Sequence, residues 1–133
     1  MKIMKIVKTS TMPQRFRLSA RFKSVVYAWQ GLWFMIQTQH NAWVHLLASA
    51  AVVGTGWYCG VSASDWRWLV ASIAAVWAAE AVNTAIEYAC DAVSPCYSEA
   101  VKHAKDIAAG SVLIAAITAA LIGALTFWPY ISP

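Results

Sequence analysis

Glu80, Asn83, Glu87 and Asp91 stand at i, i+3, i+7 and i+11 in an otherwise apolar run, WRWLVASIAAVWAAEAVNTAIEYACD, at positions 66–91. On a helix, at about 100° per residue, they fall within roughly 80° of one face along roughly 16 Å of axis. An ionisable side chain inside a membrane span costs about 2.5 kcal/mol or more, so such a residue is a functional candidate by default. If the interface lies near residues 88–91, Glu87 is at the surface and Glu80 lies about 10–12 Å deeper by helical rise. A carboxylate held away from water at that depth is suited to take a proton from a hydroxyl. One at the interface is suited to a hard cation such as Mg²⁺, which favours oxygen ligands and keeps several waters. Lys105-Asp106 reads as the opening of a further helix, where an ammonium and free N–H groups together favour phosphate. A deep base, an interfacial metal ligand and phosphate-binding groups at one level meet the requirements of phosphoryl transfer to a lipid alcohol.

Each residue also has a plainer reading. Glu80 as a structural acid would bond a neighbouring helix, and Glu87 and Asp91 as helix-end residues would simply be solvated. Lys105 as an anchor would follow the distribution of basic residues, and Asp106 would be an N-cap or first-turn acid favoured by the helix dipole. His40, His45 and His103 show no ligand spacing and read as polar interface residues. What the plainer readings leave unexplained is the common level and common face of the polar groups.

The elements that must carry these residues are helical and largely apolar. Of 133 residues, 60% are hydrophobic and 12% charged, about half the charged share of a soluble domain. The length points to one domain. Three stretches, 42–61, 66–90 and 107–128, approach the roughly 20 residues that a hydrocarbon core requires. Residues 1–14 read as a basic flexible tail. Over 15–40 the apolar residues Leu18, Phe22, Val25, Val26, Trp29, Leu32, Trp33 and Ile36 recur at three- and four-residue intervals between basic and polar ones. That pattern predicts an amphipathic helix in the interface plane, either a plain anchor or a lid over the site. The expected fold is therefore an all-α integral membrane protein with three transmembrane helices and an N-terminal surface helix. Ser94-Pro95 should end the second span. Small residues at four-residue spacing in the third (Ser111, Ala115, Ala119, Gly123) suit close helix packing in lipid. So short a chain builds no large intramembrane cavity alone, and a homo-oligomer with shared sites is expected.

Seven of the ten Lys and Arg residues lie in the first 23 positions, and no acid precedes Asp65. This asymmetry predicts a cytoplasmic N-terminus, with the 60–65 turn outside and the 92–105 loop inside. Trp57, Tyr58, Trp66, Trp68, Trp128 and Tyr130 would then form an outer aromatic belt. No apolar region of signal-peptide length precedes Arg15. Beside three spans, the basic arm reads as a membrane-surface contact and not a nucleic-acid one. Cys59, Cys90 and Cys96 make no CxxC pair and read as packing residues.

The segments EAVNTAIEYACDAVSP (80–95) and YSEAVKHAKDIAAGSVLIAA (97–116) resemble the signature of the prokaryotic diacylglycerol kinases, a family that includes the undecaprenol kinases. YAWQGL (27–32) and QTQHNAWVH (37–45) extend the resemblance to about 21–127. The resemblance implies a homotrimer of three-span subunits in the bacterial inner membrane, using ATP and Mg²⁺ at sites built across subunit boundaries. It implies Glu80 as catalytic base, Asn83 as its neighbour at the substrate, and Glu87 as metal ligand. Lys105, Asp106, Tyr27, Asp91, Tyr97 and Ser98 fall on nucleotide-contacting positions, and Trp29 and Ala109 near the lipid.

Two positions depart from the family pattern. Gln39 stands where the family has a Glu that serves as second metal ligand; an amide oxygen can coordinate but brings no charge. Ser98 stands where a His is frequent, thinning the nucleotide contacts. The favoured expectation is an ATP-dependent kinase acting on a membrane lipid alcohol, either diacylglycerol or undecaprenol, with AVSP and KDIAAG closer to the undecaprenol branch. Two rivals remain at this point: a catalytically silent scaffold of the same fold, suggested by Gln39, and a small proton-coupled oligomeric transporter, suggested by a lone intramembrane Glu.

Overall fold

The computed structural model describes residues 18–94, 96 and 98–132, with the side chain of Ala20 left aside. The basic tail 1–14 and Tyr97 lie outside the described residues. Four helices follow in order: α1 (Leu18–Thr38), α2 (His40–Cys59), α3 (Ala63–Val93) and α4 (Glu99–Ile131). There is no strand among the described residues. The chain divides into two units, Met1–Gly31 and Leu32–Pro133. In the first, every described side chain is exposed, the aromatic Phe22, Tyr27 and Trp29 among them.

The second unit holds the end of α1 and the remaining helices. Gln39 alone is non-helical between α1 and α2, with φ −104° and ψ 119°. The helix expected over 15–40 therefore ends at Thr38, and His40 already belongs to α2. α2 ends at Gly60, whose left-handed φ of 62° turns the chain at no steric cost. α3 starts behind Ser62, whose hydroxyl accepts from the Asp65 N–H. It ends at Val93, with Ser94 as its C-cap, as the Ser94-Pro95 pair predicts.

α4 differs from expectation. It begins at Glu99, behind Ser98, and not at Lys105-Asp106. Glu99 occupies the first turn, where an acid complements the dipole, so the unpaired N–H groups lie more than a turn before Lys105.

α3 packs lengthwise on α4, and α2 touches both. The apolar core is small: Met35, Ala42, Leu69, Val76, Ala108 and Val112 are buried. Gly56 is buried under the Trp66 indole, which a Cβ at this position would meet at 2.9 Å. Much larger apolar surface faces outward, including Leu113, Ile114, Leu121 and Leu125 on α4. Exposed apolar area on that scale belongs in lipid or against other chains. α3 and α4 are each long and apolar enough to cross a membrane. α2 does not reach that standard; His40, Asn41 and His45 near its start and Gly54, Thr55 and Gly56 near its end dilute its apolar content.

Both ends of the α3–α4 pair are tied. At one end the Tyr130 hydroxyl donates to Asp65 Oδ2 at 2.6 Å and accepts from the Ser62 N–H at 3.0 Å. At the other, Lys105 Nζ donates to Asp91 Oδ1. Tyr130→Phe removes the first tie while keeping the ring. It should lower the thermal midpoint of the detergent-solubilised protein by a few degrees and leave KM for ATP unchanged, read by thermal unfolding beside a kinase assay.

Candidate active site

Along the polar face of α3, Glu80 and Asn83 are buried, Glu87 is half-buried and Asp91 is exposed. Glu80 is fully buried, Asn83 is 3% exposed and Thr84 6%. Asn83 Nδ2 donates to Glu87 Oε1 at 3.1 Å, so Asn83 links the deep carboxylate level to the half-buried Glu87 one turn on. Neither oxygen of Glu80 has a hydrogen-bond partner among the described residues, and the same holds for Asn83 Oδ1 and Thr84 Oγ1. A buried carboxylate without hydrogen bonds is costly, and buried unpaired groups in a native protein call for an explanation.

Across from Glu80 stands His45 of α2, its Nε2 3.7 Å from Glu80 Oε2 and also unpaired. Its side chain is 13% exposed. The expectation that His45 is a polar interface residue is corrected here: it is turned into the protein against the deepest acid. His45 and Thr84 are the two site-level residues that sequence reasoning missed. Thr84 had a legible signal, lying one turn after Glu80 on the same helix. His45 had none, because only the packing of α2 on α3 brings it there.

At the Asp91 end, α3 and α4 enclose a groove of about 340 Å³ lined by Asp91, Ser94, Ser98, Lys102, Lys105 and Asp106. Lys105 reaches back to Asp91, and Lys102 Nζ donates to Asp106 Oδ2 at 2.7 Å one turn along α4. Lys105 precedes the apolar run that begins at Ile107. The hydrogen bond it donates to Asp91 holds its ammonium above the ordinary lysine range, so it stays cationic. Asp91, Lys105 and Asp106, expected at one level, line this groove together, the last two from the second turn of α4 and not from its N-terminus.

Other expected positions are less connected. Gln39 sits at the α1–α2 break, and its side chain does not cap α2. Ala109 is exposed beside the buried Ala108. Tyr27 and Trp29 belong to the first unit, two residues apart on α1. Cys59 and Cys90 are half-buried, Cys96 is exposed, and all three are free.

A model of the family described as prokaryotic diacylglycerol kinase matches residues 26–127. The chain belongs to that family. Among its relatives is an undecaprenol kinase of Bacillus subtilis, 35% identical over 115 residues, covering 86% of this chain and 94% of the relative. A diacylglycerol kinase of Synechocystis sp. is 36% identical over 104 residues, 77% of this chain; the chain spans 59% of that longer protein. As a member of this family the protein is a membrane lipid kinase. Kinase membership implies ATP as phosphoryl donor and a divalent metal beside it.

The donors present fit such a metal. Among the described residues no three His, Cys, Asp or Glu side chains form a metal-binding group. Magnesium does not require one: it is held through one or two carboxylates together with the phosphates of the nucleotide. Glu87 supplies an oxygen of that kind, with Oε1 steadied by Asn83.

Proposed function

We propose that this protein transfers the γ-phosphoryl group of ATP to the hydroxyl of a membrane lipid alcohol, undecaprenol before diacylglycerol. Transfer takes place at the cytoplasmic interface of a bacterial inner membrane. The observation that carries the proposal is Glu80, fully buried with neither oxygen hydrogen-bonded among the described residues. A lipid hydroxyl reaching that level would donate to Glu80, relieving the unpaired carboxylate. As the lipid oxygen attacks phosphorus, its proton passes to Glu80, the new P–O bond forms, and the bond to the bridging oxygen breaks. ADP leaves with that electron pair. Bound magnesium would neutralise charge on the phosphates, held by Glu87 with Gln39 as a weaker second ligand.

Lys105 and Asp106, with Asp91, Ser98 and Tyr97, would contact the nucleotide; the groove beside Lys105 is an opening suited to phosphate. Asn83 would orient the substrate end of the site, and Ala109 would lie near the lipid tail. α2, α3 and α4 would be the three spans and α1 a surface helix, in a homotrimer whose sites are shared. The apolar surface left open on α4 supports that assembly. The near full-length match to an undecaprenol kinase supports the polyprenol over diacylglycerol.

The test is transfer of labelled γ-phosphate from Mg-ATP to undecaprenol and to diacylglycerol in mixed micelles, with the trimer checked by light scattering. A higher kcat/KM for undecaprenol is the expected result. No transfer to either lipid by folded oligomer at high Mg²⁺ sinks the proposal. Gln39 adds a second test. A carboxylate in place of its amide adds a charge to the metal site, so Gln39→Glu should lower the Mg²⁺ needed for half-maximal rate about tenfold. An unchanged Mg²⁺ requirement removes Gln39 from the metal site.

A further inference from the structure

We infer that His45 is a positioning residue for Glu80, its Nε2–H holding one carboxylate oxygen so that the other faces the substrate hydroxyl. The inference rests on the reading of Glu80 as the base.

Three observations carry it. The first is the mutual lack of partners. Nε2 of His45 and both oxygens of Glu80 are buried and unpaired, and they face each other at 3.7 Å. Closing by about 0.8 Å would make a hydrogen bond, within the reach of small side-chain torsions. Among the described residues neither group has another partner.

The second is that the imidazole is already oriented. Trp77 on α3 stands edge-on to the His45 ring, with centroids 6.5 Å apart and planes at 65°. The Trp77 indole N–H donates to Ser49 Oγ at 3.1 Å, and Ser49 Oγ donates to the His45 carbonyl at 2.7 Å. One tryptophan thus steadies both the ring and the turn of α2 that bears it.

The third is the surroundings on the far side. His45 lines an apolar cleft of about 370 Å³ between α2, α3 and α4, with Leu69, Val76, Ala116 and Phe127. Among the described residues it is the one ionisable member of that lining. On that side the lining is mostly apolar, with Ser49 and Ser72 its hydroxyl members; on the other stands the Glu80 carboxyl group. A carboxylate with two free oxygens can rotate or present the wrong one, and an error of about 1 Å at a reacting group can cost a hundredfold in rate. A single donor on one oxygen removes that freedom. His45 takes no proton from substrate in this scheme; it sets the direction in which Glu80 does.

Two substitutions separate the nitrogen from the ring. His45→Phe keeps the ring and its edge against Trp77 but removes the donor. His45→Gln discards the ring and keeps an amide N–H at the reach of Nε2. With full-length protein, Mg-ATP and undecaprenol in mixed micelles, His45→Phe should lower kcat about 10- to 100-fold with both KM values nearly unchanged. His45→Gln should restore most of the rate. In the Glu80→Gln background, His45→Phe should cost nothing further, because it acts through Glu80.

Full activity of His45→Phe, or a loss in His45→Gln as deep as in His45→Phe, overturns the inference and leaves His45 as packing. If His45→Phe does not fold, His45→Leu removes the same donor and carries the same expectation. The two readings fail separately. A fully active Glu80→Gln protein ends the assignment of the base, whereas an inactive Glu80→Gln protein beside an active His45→Phe protein ends only the role of His45.

Discussion

Glu80→Gln should lower kcat for lipid phosphorylation by about 10²–10⁴-fold while making the protein harder to unfold. General-base removal sets the first magnitude, equivalent to about 3–5 kcal/mol of barrier. The second effect follows from burial. Glu80 is fully enclosed, with no hydrogen bond to either oxygen among the described residues and only the His45 imidazole 3.7 Å away, so the folded state carries a poorly compensated acid. An amide of the same shape removes the ionisable group and should raise the thermal midpoint by several degrees. Function and stability are opposed at this position, as is common where a site requires a group that packing alone would reject. Steady-state kinetics and thermal unfolding on one preparation check both signs. A variant that loses activity and stability together points to a structural acid.

Lys105→Ala should raise KM for ATP about 10- to 100-fold and change KM for the lipid little, the range expected for losing a charge-assisted contact to phosphate. Lys105 is held over the groove by Asp91. Asp91→Asn leaves the ammonium in place and keeps an oxygen towards the nucleotide while weakening the tether, so its KM for ATP should rise less. Equal losses in the two variants would mean that the pair acts as a fastener between helices and not as a phosphate contact. Isothermal titration with a non-hydrolysable ATP analogue gives the same comparison without turnover.

α3 is legible in the sequence because its signal is local. Four polar residues at i, i+3, i+7 and i+11 in an apolar run mark one face, and the structure buries Glu80 and Asn83 of that face. The end of α3 at Ser94 is legible for a similar reason, since Pro95 next to it cannot serve as an ordinary helix donor. The start of α4 is misread because Lys105-Asp106 resembles a helix opening, whereas α4 starts behind Ser98, which takes the N-cap position without a side-chain cap bond, with Glu99 as its first-turn acid. His45 is unreadable on physical grounds. It lies 35 positions before Glu80, and neither helix carries a periodicity that says which α2 side chain will face α3. α2 itself shows the limit of hydropathy. Its polar residues include one that faces the buried acid, so the helix opposite the chemistry is the one that falls short of a span by composition.

The paired fastenings of α3 to α4 also contribute to the heading of Glu80 around the helix axis. A helix in lipid can spin about its own axis with little opposition from its surroundings, and a turn of about 100°, one residue's worth, would swing Glu80 away from α2. Tyr130 grips α3 at Asp65, and Lys105 grips it again at Asp91. Tied at two points as well as packed along its length on α4, α3 has its roll restrained from beyond the immediate neighbourhood of the buried acid. Loosening either grip leaves the packing on α4 as the restraint at that end, so substitutions far from the acid should blunt its aim before they unfold the protein.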